Sequence, residues 1–117
     1  MLPRQNRVLT AAEFRQGFKS PVRSHTDWAS FYLVRLGEAE PTRIGFVVSG
    51  TIGNAVVRNR VKRRLREASR EFLGSHNTGL QLTIRVRPEA VAMDFESIKS
   101  QLLATAERLV AKDGGAR

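Results

Sequence analysis

The sequence contains no cysteine, which excludes disulfides and thiolate metal sites and makes a reducing compartment the expected setting. No stretch approaches ~20 apolar residues and residues 1–17 hold no secretory hydrophobic segment, so neither membrane spanning nor export is expected. We expect a cytoplasmic protein with no membrane partner. The two histidines, His25 and His76, lie in polar segments without a spaced Cys or His, the pattern of lone exposed histidines rather than metal ligands. The acids are scattered and form no Ser, His and Asp constellation, so no protein-only active site is expected and no catalytic or metal-binding side chain is assigned. Internal repeats and low-complexity blocks are also lacking. The shortage of acids matters most: 11 Asp and Glu stand against 20 Lys and Arg, a formal charge of +9.

What is present suffices for a fold. The chain has 117 residues, of which 41% are hydrophobic, far more than a disordered basic tail carries. One domain over 1–117 is expected, with an extended start at 1–9 and a flexible end at 113–117. The excess positive charge favours a polyanion, nucleic acid before membrane. Thr10-Ala11-Ala12-Glu13 is a capping box for a helix from about Ala11 to Lys19, ended by Pro21. That helix puts Phe14 and Phe18 on one face, flanked by Arg15 and Lys19. After a polar connection, Trp28 to Leu36 and Arg43 to Ser49 read as strands, with GEAEPT between them as a hairpin or loop. Leu80 to Val86 alternates apolar and polar residues, predicting a buried face and a wet face carrying Gln81, Thr83 and Arg85. Asp94 is an N-cap candidate for a last helix with Phe95, Ile98, Leu102, Ala106 and Leu109 at helical spacing. This order describes a single α/β domain.

Six basic residues occupy the nine positions from Arg58 to Arg66, with no acid among them. At about 100° per residue, Val57, Val61, Leu65, Ala68 and Phe72 form one stripe, so this segment is a helix that docks on a sheet. Beside the stripe lie Arg58, Lys62 and Arg66, then Asn59, Arg63 and Arg70, a surface expected to contain no carboxylate. On the other flank, Arg60 and Arg64 have Glu67 and Glu71 at i, i+3 and i, i+4 spacing for partial neutralisation. Five arginines to one lysine in the nine-residue run favour forked contacts to phosphate. A merely solvated basic face is the alternative reading. In the preceding turn, SGTIGN, Gly50 and Gly53 permit close or left-handed backbone, and Asn54 is a good N-cap, so helix-start amides could face a phosphate. A G-x-x-G of this kind equally fits a tight strand-to-helix turn. The KH domain is a poor fit, because its GXXG joins two helices and here an apolar strand comes first.

Through these residues the chain resembles the protein component of bacterial ribonuclease P. GNAVVRNRVKRRLRE, Gly53 to Glu67, matches every specified position of the hallmark G-N-A-V-x-R-N-R-x-K-R-x-x-R-E. The resemblance covers nearly the whole chain: NRV near the start, F-x-x-x-F at Phe14 and Phe18, a strand ending near Tyr32, the R-x-G strand at Arg43 and Gly45, and an R-P pair at Arg87 and Pro88. One departure is visible. Many relatives have two lysines after the Ser, whereas Gly50 and Thr51 follow Ser49 here, so Arg43 or Arg87 is a candidate replacement.

The resemblance implies an α-β-β-β-α-β-α order with about three helices on a four-stranded mixed sheet and a left-handed crossover through the basic helix. It implies a subunit of a ribonucleoprotein endonuclease. In that enzyme the RNA subunit, with magnesium held mainly by RNA and substrate, cleaves precursor tRNA to release the 5′ leader, and the protein assists. Carried onto this chain, Asn54, Arg58, Asn59, Arg60, Lys62, Arg63, Arg66 and Arg70 form the surface for the RNA subunit. Phe14, Phe18 and Tyr32, with Arg7, Arg15, Ser49, Arg43 and Arg87, form the leader cleft. From spacing alone, Phe14 and Phe18 are helix-to-sheet core contacts, Tyr32 is an ordinary strand residue and Trp28 is packing. No obligate protein partner is inferred. The alternative is a non-catalytic RNA- or DNA-binding module of similar fold, such as a ribosomal or assembly protein.

Overall fold

The computed structural model describes residues 6, 7 and 10–115. Its elements are α1 (Ala11–Phe18), β1 (Arg23–His25), β2 (Ala29–Arg35), β3 (Arg43–Val47), α2 (Ala55–Ser75), β4 (Leu80–Val86) and α3 (Phe95–Gly115), with short 3-10 turns at Gly50–Ile52 and Pro88–Ala92. The strands form one mixed sheet in the order β1-β2-β4-β3. β2 runs antiparallel to β1 and β4, while β3 is parallel to β4, so β3–α2–β4 is a crossover between neighbouring parallel strands.

Three expectations change. Of the two readings of GEAEPT, hairpin or loop, only the loop stands, because β4 lies between β2 and β3. The polar connection after α1 contains β1, a short charged edge strand that pairs Arg23 with Tyr32 and His25 with Ser30. The β4 alternation is real in direction but not in solvation: Gln81 and Thr83 are buried beneath α1, and only Arg85 of the polar set is exposed.

The alternation gives the sheet two unlike faces. Phe31, Leu33, Ile44, Leu82 and Ile84 meet α2 and α3 in one core. The predicted stripes supply the helix side: Val61, Leu65, Ala68 and Phe72 from α2, and Ile98, Leu102, Ala106 and Leu109 from α3, are all buried. Trp28 is packing, 1% exposed, with its Nε1–H donated to Gln101 Oε1 at 2.9 Å. The other face carries Ser30, Tyr32, Gln81, Thr83 and Arg85, in matching register across β2 and β4. α1 covers only part of it.

α1 lies very close to the sheet. Its start is fixed by the full capping box between Thr10 and Glu13. Gln81 Nε2 donates to the Glu13 carbonyl at 2.9 Å. Gly17 permits the approach, since a Cβ there would meet Thr83 Oγ1 at 2.4 Å. Of the expected extended start, Asn6 donates from Nδ2 to the Thr42 carbonyl at 2.7 Å and Arg7 bridges to Ile44 in parallel sense. The other residues of 1–9 that precede Thr10 lie outside the described set, as do 116 and 117 of the expected flexible end, while α3 reaches Gly115.

Candidate nucleic-acid interface

The basic helix begins at a tight turn. Gly53 has φ 152°, and a Cβ on it would also crowd Val57 at 3.1 Å, so both conformation and space call for glycine. Asn54 is the N-cap, its Oδ1 accepting from Val57 N at 3.0 Å. The amides of Ala55 and Val56 remain beyond reach of any intrahelical acceptor. Arg58 folds back to donate to the Gly53 carbonyl at 2.9 Å, which fixes its guanidinium beside the turn without neutralising it.

Along α2 the charged side differs from expectation at its C-terminal end. Arg70 donates to Glu67 at 3.3 Å, and this bond holds the Glu67 carboxyl below its usual pKa. Glu67 therefore stays ionised beside Arg70, and the acid-free surface ends before Arg70. Arg64 reaches the Met93 carbonyl at 3.3 Å rather than Glu71, tying α2 to the start of α3. Arg58, Asn59, Lys62, Arg63 and Arg66 keep a surface with no acid paired to it among the described residues.

The polar sheet face forms a cleft beside α1. Phe14 and Phe18 are half-buried, neither core residues nor free platforms. Their ring centroids are 6.4 Å apart, and the Phe18 ring meets Tyr32 edge-on at 5.3 Å. Tyr32 is 7% exposed, with His25 against another edge and the Arg23 guanidinium over its ring, so it braces Phe18. Arg85 lies over Phe18 at 4.3 Å. Sequence reasoning left Arg23, His25 and Arg85 out of the cleft. The signal for Arg85 was its place on the polar side of β4, whereas β1 was too short to announce itself.

Arg43 is placed where it cannot replace the missing lysines, because Glu13 at 2.5 Å and Glu40 at 3.3 Å both engage it. Arg87 donates to the Thr26 carbonyl and to Ser30 Oγ, both neutral acceptors, and has no acid paired to it among the described residues. Ser49 pairs with Thr51, Oγ to Oγ1 at 2.7 Å. Arg15 is exposed on the last turn of α1. His76 is not a lone histidine, since its Nε2 meets Glu107 Oε1 at 2.5 Å and joins α2 to α3.

The cleft and the basic helix meet around the β3 edge. A cavity of about 120 Å³ there is lined by Arg7, Phe14, Ile44, Gly45, Phe46, Lys62 and Arg66, so it draws on both surfaces. No group of three or more His, Cys, Asp or Glu that could by itself hold a metal ion lies among the described residues.

The protein-family model described as Ribonuclease P matches residues 2–110. The chain belongs to the ribonuclease P protein family. It is 40% identical over 107 residues to the ribonuclease P protein component of Pseudarthrobacter chlorophenolicus, covering 92% of this chain and 79% of that one. It is likewise 40% identical over 98 residues to the component of Kocuria rhizophila, covering 84% of this chain and 86% of that one. The ribonuclease P protein of Staphylococcus aureus has a similar structure, with TM-score 0.75, 26% identity, and coverage of 87% of this chain and 93% of that one. The Thermotoga maritima ribonuclease P protein shares the fold, at TM-score 0.75 and 24% identity over 87% of this chain and 96% of that one. A subunit role in ribonuclease P, and with it in tRNA 5′ processing, follows from family membership and sets aside the ribosomal or DNA-binding alternative. No helix among the described residues is long and apolar enough to cross a membrane.

Proposed function

We propose that this ribonuclease P protein works on two contiguous surfaces: the acid-free side of α2 binds the RNA subunit, and the cleft beside α1 binds the 5′ leader of precursor tRNA. The observation that carries this reading is the cavity at the β3 edge, where Phe14 of the cleft shares a wall with Lys62 and Arg66 of the basic helix. An RNA docked on α2 thereby brings its substrate's leader to the aromatic side without a gap between the two contacts. Arginine forks suit phosphate on the α2 side. On the cleft side, stacking on Phe14 and Phe18 contributes ~1 to 3 kcal/mol per base and tolerates sequence variation, as diverse leaders require.

In this mechanism the protein binds and orients, and none of its described side chains is given a part in hydrolysis. Magnesium, held by RNA and substrate, supplies the phosphodiester chemistry, and the cytoplasm is the compartment of action. The protein's cations lower the repulsion between RNA subunit and precursor, so its benefit is greatest when magnesium is scarce. The test is to add the purified protein to its own RNA subunit at low magnesium and follow 5′ leader removal. Faster cleavage and tighter precursor binding are expected. An unchanged rate together with unchanged affinity would contradict the proposal.

A further inference from the structure

α1 spans 8 residues, and a helix shorter than ~12 residues is marginal in water on its own. Of its residues only Gly17 is buried, so α1 lacks the apolar side-chain anchors that hold α2 and α3 in the core. Polar contacts take their place. After the helix, Ser20 Oγ donates to the Leu33 carbonyl of β2. Near its start, the Glu13 carboxylate meets Arg43 of β3, and Gln81 Nε2 of β4 donates to the Glu13 carbonyl at 2.9 Å.

The two contacts to Glu13 are unlike. Arg43 leaves 31% of its side chain exposed, where salt screens its charge. Gln81 is 1% exposed, and its bond lies where the dielectric is low and water does not compete. Thr83 does not share the task, since its Oγ1 is buried beneath Gly17 with no hydrogen-bond partner among the described residues. A carbonyl oxygen has two lone pairs, and in an α-helix the Glu13 oxygen also faces the Gly17 N–H. One oxygen thus joins β4 to the helix at its point of closest approach. The same rigid peptide plane contains the Phe14 nitrogen and Cα. Gln81 therefore holds the plane from which the Phe14 ring projects into the cavity it shares with Lys62 and Arg66.

We propose that Gln81 is a positioning residue for substrate binding. Its amide pins the Glu13–Phe14 peptide to the central strand and so keeps Phe14 and Phe18 at the height where a base can stack. Being buried, Gln81 touches no RNA and acts only through α1. The inference rests on the leader-cleft reading and adds to it what holds the aromatic side of the cleft in place.

Gln81→Met keeps the length of the side chain and removes its donor. In the free full-length protein, amide hydrogen exchange in α1 is expected to quicken about fivefold, the factor for one net hydrogen bond, while α2 and α3 keep their protection. In the reconstituted holoenzyme, precursor tRNA is expected to bind about two- to fivefold more weakly as the docked fraction of α1 falls. Affinities for mature tRNA and for the RNA subunit stay unchanged. Combining Gln81→Met with Phe14→Ala is expected to cost less than the product of the two single losses, because one acts through the other. A residue that merely supports the fold adds its loss in full. The proposal is overturned if α1 exchange or precursor affinity does not change, if RNA-subunit affinity falls as far as precursor affinity, or if the two losses multiply. Phe14→Ala alone tests the underlying reading. If it lowers precursor binding selectively and Gln81→Met does not, the cleft stands and Gln81 has no part in it. If Phe14→Ala leaves the preference for precursor intact, the cleft reading fails and the positioning role fails with it.

Discussion

Gly17 shows how one atom positions the cleft. A methyl group there would press on Thr83 Oγ1, which is buried under α1. Gly17→Ala is expected to cost about 1 to 3 kcal/mol through overpacking, visible as a fall in Tm, and to loosen α1 enough to weaken leader-dependent binding as well. Arg63 gives the opposite case. It is exposed, so Arg63→Ala should leave Tm within about a degree, weaken binding to the RNA subunit and reduce the salt slope by about 1. Salt titrations of the protein–RNA complex beside a melting curve check both halves of that expectation. Arg43 shows where residue type misleads. The sequence shows a cation near the cleft, but its neutralisation by Glu13, 30 residues away, is a tertiary contact that no local pattern contains.

At the scale of elements, helix starts were the most legible features because their chemistry is local. The Thr10–Glu13 box and the Asn54 cap lie where the residues put them. Asp94 also caps α3, accepting from Ser97 N at 2.8 Å, and the hydrogen bonds from Ser97 hold its carboxyl below the usual carboxylate pKa. A depressed pKa contributes stability that is present above the unfolded value and lost as pH falls through the folded one. Acid unfolding should therefore be less steep in Asp94→Asn, which keeps the cap but cannot titrate, and circular dichroism between about pH 5 and 2 measures the difference. Pairing across elements was not legible. The three-residue β1 is too short for a periodic signal, and β4 inserts between β2 and β3 only because the crossover through α2 returns the chain there. Gln81 and Thr83 follow the same lesson, since alternation gives the face of a side chain and not what covers it.

For the whole molecule, the sheet separates two tasks. Its apolar face holds α2 and α3 in the single core, so the basic helix is rigid while its charged side remains in solvent. Phe72→Ala removes a fully buried ring from that core and should cost about 3 to 5 kcal/mol, abolishing both binding activities together. Its polar face, by contrast, is incompletely covered and ends in cations. The family was readable from the motif Gly53 to Glu67, and so was the existence of a basic docked helix. The joining of the two surfaces at the β3 edge was not, because it depends on Phe14, Lys62 and Arg66 meeting from helices far apart in sequence.

The central claim is that these surfaces do different work, and one comparison tests it most directly: the affinities of the reconstituted holoenzyme for precursor and mature tRNA, with native protein and with Phe14→Ala. The account predicts that Phe14→Ala lowers precursor affinity toward that of mature tRNA, by roughly fivefold to a hundredfold for one lost stack, while mature tRNA affinity and RNA-subunit binding stay as they were. A variant that melts at a lower temperature yet keeps the full preference for precursor would place Phe14 in the core and contradict the account.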